Sequence, residues 1–170
     1  MFQLSAQDQQ KMVGFLRDLI RTPRLSCQEG AVGTRIADEM HAIGFRDVAM
    51  DRIGNVIGRT GSPRRESGPV LLFDGHMDTV GAPNPSMWRH DPFGAEIEKG
   101  VLYGLGACDM KGALAAMVYA GKLIAESHLS LKGDFIIACV VQEEPCEGLA
   151  ARVLVEEEGV RPDWVVLGEP

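Results

Sequence analysis

The chain has 170 residues, enough for one ordinary domain with its own core. With 45% hydrophobic and 24% charged residues its composition is globular, which excludes a disordered or fibrous class. Its 24 acidic side chains outnumber 17 basic ones for a formal charge of −7, so there is no basic footprint for a nucleic acid or an anionic membrane.

Part of the acidic excess is available as metal ligands, whose charge a bound dication would neutralise. The N-terminus, Met1-Phe2-Gln3-Leu4-Ser5, turns polar almost at once and lacks the basic-then-apolar pattern of a signal peptide. No run approaches the roughly 18 apolar residues that a membrane span needs. A cytoplasmic protein with no membrane partner is therefore expected. The scattered Cys27, Cys108, Cys139 and Cys146 are expected to be free thiols, and without a Cys-x-x-Cys pair a structural zinc ribbon is disfavoured.

Ser5 is placed to cap a helix running to about residue 22, with Met12, Leu16, Leu19 and Ile20 at helical spacing and Pro23 beyond its end. A second helix is predicted over 29–43, with Val32, Ile36, Met40 and Ile43 on one face and Gly44 as its terminator. Residues 47–51 and 55–60 read as short strands joined through Ile53-Gly54, and 60–69 as a polar loop. The apolar run 70–73 has the look of a strand buried on both faces. A long loop with three prolines covers 79–94, of the kind that is often functional.

Helical spacing resumes from Lys111 to about residue 126, followed by a buried strand over 135–141, a helix over 148–158 and a third buried strand, Trp164–Leu167. Buried strands alternating with amphipathic helices predict βαβ units and a mostly parallel sheet. The chain then reaches Gly168-Glu169-Pro170 with no helix to cover the last strand, which reads as an expected cut.

In open α/β sheets, ligands bind outside the carboxyl ends of the strands. The three apolar runs end in Asp74-Gly75-His76-Met77-Asp78, Gln142-Glu143-Glu144 and Gly168-Glu169, so each delivers an acid or an imidazole to the same edge. Asp109 stands in the loop before the next helix. Singly, each has an ordinary explanation: a hydrogen-bonded histidine, a helix-capping Asp, a solvated Glu pair. Together they suit a zinc-type dication with nitrogen and oxygen ligands. Adjacent acids after a strand are expected to face opposite sides, one toward a metal and one toward substrate or water. His76 and Asp78, two apart in extended backbone, share a side, so Asp78 is expected to fix the imidazole tautomer, or else to stabilise a turn. Gly104-Leu105-Gly106 lacks the third glycine and the preceding long strand of a dinucleotide loop, and is read instead as a tight approach that aims Asp109 inward.

The segments Gly75-His76-Met77-Asp78-Thr79-Val80, Tyr103-Gly104-Leu105-Gly106-Ala107-Cys108-Asp109-Met110-Lys111-Gly112, Glu143-Glu144 and Gly168-Glu169-Pro170, in this order and spacing, resemble the M20 metallohydrolases. That family includes acetylornithine deacetylase, succinyl-diaminopimelate desuccinylase, aminoacylase-1 and carboxypeptidase G2. The likeness extends over the whole chain, including residues 88–93. Pro145-Cys146-Glu147-Gly148 also resembles the YgeY-type branch, with Cys146 binding metal, tuning the site or standing by as a free thiol.

The resemblance implies a three-layer α/β/α zinc-exopeptidase-like fold, with residues 1–170 as the first half of the catalytic domain. It implies two Zn²⁺ ions (Co²⁺ or Mn²⁺ being alternatives), His76 and Glu169 on one, Asp109 bridging, Glu144 on the second, and Glu143 as general base. It also implies a cis bond between Asp109 and Met110. The expected reaction is hydrolysis of an amide in an N-acyl amino acid or small peptide. The lid domain that mediates homodimerisation, the C-terminal half and a late metal-binding His are expected outside this chain; His90 and His128 do not fit that role. The alternative is a folded fragment that binds one metal without turnover.

Overall fold

In the computed structural model, which describes residues 3–22, 25–60, 68–127, 131–146 and 148–170, Ser5 caps helix α1 (Ala6–Arg21). Its hydroxyl oxygen accepts the Asp8 N–H at 3.1 Å, satisfying one of the free donors of the first turn. The face of α1 that enters the core is Phe15, Leu19 and Ile20, with Met12 and Leu16 flanking it half-buried. Helix α2 (Gly30–Ala42) buries Val32, Gly33, Ile36 and Met40. It ends at Gly44 (φ +90°), whose lack of a Cβ permits the left-handed turn that returns the Phe45 N–H to the Met40 carbonyl at 2.9 Å. Pro23, most of the 60–69 loop, His128 and Glu147 lie outside the described residues.

Strands β1 (Arg46–Met50), β2 (Val56–Thr60), β3 (Val70–His76), β6 (Asp134–Val140) and β7 (Trp164–Leu167) form one sheet in the order β1-β2-β6-β3-β7. The parallel part is β6-β3-β7, and β2 and β1 add an antiparallel edge. Strands β4 (Glu96–Glu98) and β5 (Val101–Tyr103) make a separate hairpin at the end of the long 79–94 loop. They are too short for periodicity to have revealed them.

Alternation along β6 explains both layers. Phe135, Ile137 and Cys139 face a core shared with α1, α2 and α3 (Gly112–Glu126), while Ile136, Ala138 and Val140 pack with Ala150 and Leu154 of α4 (Leu149–Glu156) on the other side. A strand buried on both faces must be apolar throughout, hence the continuous run. Each fully buried aliphatic or aromatic side chain contributes about 1.5–3 kcal/mol. The architecture is three-layer α/β/α, as expected.

Two expectations change. Trp164–Leu167 is apolar but not buried: Trp164 is 61% and Leu167 62% exposed, because among the described residues β7 pairs with β3 alone and joins neither core cluster. The strand β6 ends at Val140, and Gln142 (φ +56°) turns the chain sharply, so Glu143 and Glu144 sit in a turn rather than on opposite sides of an extended strand.

Candidate metal centre

Parallel pairing aligns three carboxyl ends. His76 is level with Val140, and Asp74 with Leu167. The Met77 N–H extends the ladder to the Val140 carbonyl at 2.8 Å, and the Gly168 N–H to the Asp74 carbonyl at 3.1 Å. The segments that follow β3, β6 and β7 are thus held at one sheet edge.

The fourth contributor is the kinked segment Ala107–Lys111, in which Asp109 and Met110 leave helical geometry and the bond between them is cis, as expected. Asp109 therefore does not cap α3. Gly106 sets up the kink with φ +76°, and a Cβ there would lie 2.6 Å from Thr79 Cγ2. The close approach read from Gly104-Leu105-Gly106 is thus a contact between this loop and the residue after Asp78.

His76 Nδ1 is 3.0 Å from the carbonyl oxygen of Asp78 and 3.5 Å from its carboxylate Oδ1. A carbonyl can only accept, so Nδ1 carries the proton and Nε2 faces the site. Nε2 lies 3.0 Å from Asp109 Oδ1 and 4.0 Å from Glu169 Oε1. One ligand atom each from His76, Asp109 and Glu144 lie within 4.8 Å of one another. His76 is 1% exposed, whereas the carboxylates of Asp109 and Glu169 are open to solvent.

Burial works to lower the imidazole pKa, but the Asp78 and Asp109 carboxylates outweigh it and raise His76 to about 9. For Asp78, burial works upward, and the bonds from His76, Ser26 and the Glu143 N–H outweigh it, holding the carboxyl below its ordinary range. Desolvation, with the charges of Glu169, Glu144 and Asp78 and against that of His76, pushes Glu143 above its ordinary value, the direction that suits a base working near neutrality. The donor set, one imidazole nitrogen with several carboxylates around a half-open edge, fits a zinc-type dication.

Three residues that sequence reasoning missed complete the surroundings. Ser26 donates to Asp78 Oδ2 at 2.6 Å. Glu29, at the start of α2, accepts from the Gln142 N–H at 3.0 Å. Lys111, 1% exposed, donates to the Leu19 carbonyl at 3.0 Å, and burial lowers its ammonium to about 8 against the pull of Asp78. The signal for the first two was present: Ser26-Cys27-Gln28-Glu29 has the spacing of a local helix-capping box, yet both side chains reach distant segments. His90 stands apart from the centre, stacked on Tyr103 with Nδ1 2.8 Å from Glu96.

The chain is 40% identical over 163 residues to Uncharacterized protein YgeY of Escherichia coli K12, covering 95% of this chain and 39% of that protein. It is 33% identical over 158 residues to succinyl-diaminopimelate desuccinylase of Acinetobacter baylyi, covering 90% and 41%. The chain thus spans about two-fifths of the length of these relatives. Among solved structures, human carnosine dipeptidase 1 matches with a TM-score of 0.77 at 22% identity over 96% of this chain and 39% of its own. The YXEP protein of Bacillus subtilis, described as a dinuclear metal binding peptidase of the M20 family, matches with a TM-score of 0.71 at 21% identity, over 96% and 43%. These two establish the fold. The family model for peptidase family M20/M25/M40 matches residues 72–170, from within β3 to the C-terminal Pro170, and the chain belongs to that family.

Proposed function

We propose that the parent of this chain is a metal-dependent amidohydrolase acting on an N-acyl amino acid or a small peptide. Residues 1–170 would form the N-terminal part of its catalytic domain, with the lid and C-terminal half outside this chain. The observation that carries the reading is the mutual approach of His76, Asp109 and Glu144 ligand atoms within 4.8 Å. His76 and Glu169 would hold one ion, Asp109 would bridge, and Glu144 would hold the second. Zn²⁺ suits this donor set best, with Co²⁺ or Mn²⁺ as substitutes.

Dications held there would supply Lewis acidity, enough to acidify water near neutral pH and to polarise an amide carbonyl. Glu143 takes the proton from the attacking water and returns it to the leaving nitrogen, a transfer favoured by its raised pKa. Asp78 fixes the His76 tautomer and holds the turn that carries Glu143.

The desuccinylase relatives favour an N-acyl substrate; the carnosine dipeptidase likeness, at 22% identity, adds only fold. A cytoplasmic setting accords with four free thiols among the described residues, which also contain no helix long and apolar enough to cross a membrane. A homodimer formed through the lid remains part of the proposal for the parent. The exposed β7 favours a second reading for this chain alone, a folded piece that binds one metal without turnover.

The test is amine release from a panel of N-acyl amino acids and dipeptides by the zinc-loaded parent, with Glu143→Gln beside it. Turnover that vanishes in the variant while metal content stays equal supports the reading. Near-wild-type turnover in Glu143→Gln overturns the assignment of the base.

A further inference from the structure

The turn after β6 is suspended by its backbone. The N–H groups of Gln142, Glu143 and Glu144 donate in succession to Glu29 Oε1 at 3.0 Å, Asp78 Oδ1 at 3.2 Å and Asp78 Oδ2 at 3.3 Å. Asp78 belongs to the segment that carries His76. Glu29 does not: it stands 113 positions before Gln142, at the head of α2, and is 4% exposed.

The same Glu29 oxygen also accepts the Cys27 N–H at 3.0 Å. Its two donors, Cys27 (φ +70°) and Gln142 (φ +56°), are both non-glycine residues in the left-handed region. That conformation costs free energy for a residue with a Cβ and persists where surrounding contacts impose it. A buried carboxylate receiving two N–H bonds is such a contact, because bonds to an ionised acceptor are the strong ones.

We propose that Glu29 is a positioning residue for the metal centre: it holds Gln142 in the left-handed conformation that aims Glu143 and Glu144 at the site. The inference rests on the metal-centre reading above. Without the carboxylate, Gln142 relaxes toward negative φ and the two glutamates swing away from His76 and Asp109. Asp78 alone cannot prevent this, because its bonds begin only at Glu143.

The test is Zn²⁺ affinity of the 170-residue chain, read by competition with a chromophoric chelator. Glu29→Gln removes the charge. Glu29→Asp keeps the charge at the start of α2 but withdraws it by one methylene. Each is expected to weaken Zn²⁺ binding tenfold or more, as loss of a group that orients a ligand does, with the far-UV circular dichroism of the metal-free chain unchanged.

Gln142→Gly supplies the reading that a merely structural role would not move. Glycine adopts positive φ freely, so the loss from Glu29→Gln should shrink several-fold in the Gln142→Gly background. Equal losses in both backgrounds overturn the proposal, as does wild-type affinity in folded Glu29 variants. If Glu29→Gln does not fold, Glu29→Asp carries the same comparison. A wild-type chain that binds no Zn²⁺, or binds it independently of His76, overturns the metal-centre reading itself and the inference with it.

Discussion

The Asp78 carboxylate accepts the backbone N–H of Glu143 at 3.2 Å while the Asp78 main-chain carbonyl holds Nδ1 of His76 at 3.0 Å. One residue therefore couples the orientation of the imidazole to that of the turn bearing the proposed base. Asp78→Asn presents an N–H₂ group where the backbone N–H of Glu143 or of Glu144 requires an acceptor. Opposed donors in a buried site cost about 1–3 kcal/mol each. Zn²⁺ affinity should fall by about 10–100-fold, with a lower Tm. Measurement by chelator competition and thermal melting checks both, and unchanged affinity would remove Asp78 from this role.

The second expectation concerns pH. In the metal-free chain His76 has a pKa of about 9 in place of 6.5. A raised pKa on a base means the protonated form is favoured by folding. Its contribution is complete below about pH 6.5 and is lost as pH rises through about 9. A shift of that size corresponds to roughly 3 kcal/mol. With metal stripped by chelator, urea melts of the wild type should lose stability across this window, and His76→Gln should flatten the difference. Because a metal ligand must be unprotonated, Zn²⁺ binding at pH 7.5 should also release a proton, visible as a buffer-dependent calorimetric enthalpy.

Much of the architecture was legible because burial writes periodicity into sequence. The alternate faces of β6 demanded an unbroken apolar run, and the Ser5 cap and Gly44 terminator marked helix ends. That His76, Asp109, Glu144 and Glu169 gather at one sheet edge was legible, because each follows a strand or precedes a helix there. What was not legible depends on long-range geometry. Apolarity predicts burial for Trp164–Leu167, but only an element packed over its faces can provide it, and among the described residues β7 has β3 alone beside it. Strand alternation assigned opposite sides to Glu143 and Glu144, whereas Gln142 at φ +56° ends the strand first. Ser26 and Glu29 have the spacing of a local capping box, and Glu29 keeps a local bond from Cys27, but the two side chains also reach Asp78 and Gln142.

A pair of glycines separates strain from contact. Gly106 and Gly100 both have positive φ, +76° and +82°, but an added Cβ at Gly106 would lie 2.6 Å from Thr79 Cγ2, while at Gly100 nothing lies within 4 Å. Each alanine substitution incurs the backbone cost of about 1–2 kcal/mol. Only Gly106→Ala must also force apart the Thr79 side chain and the loop that carries Asp109. Both variants should melt lower than the wild type, and only Gly106→Ala should weaken Zn²⁺ binding. Equal Zn²⁺ affinity in the two would mean the Thr79 contact does not govern Asp109.

The last expectation follows from the edge of the sheet. Strand β7 pairs with β3 on one side, and its residues Trp164, Val165, Val166 and Leu167 are between 43% and 62% exposed. Apolar side chains on both faces of an edge strand make a template for pairing with another chain. Natural edges are protected by charge, and lysine is the usual means. The chain alone should therefore self-associate as its concentration rises, and Val165→Lys should reduce that association. The site lies beyond the carboxyl end of β7, and Val165 pairs with Leu72 well inside the strand, so Zn²⁺ affinity should not change. Sedimentation velocity across a concentration series, with chelator competition on the same samples, decides it. If Val165→Lys associates as strongly as the wild type, self-association does not run through β7.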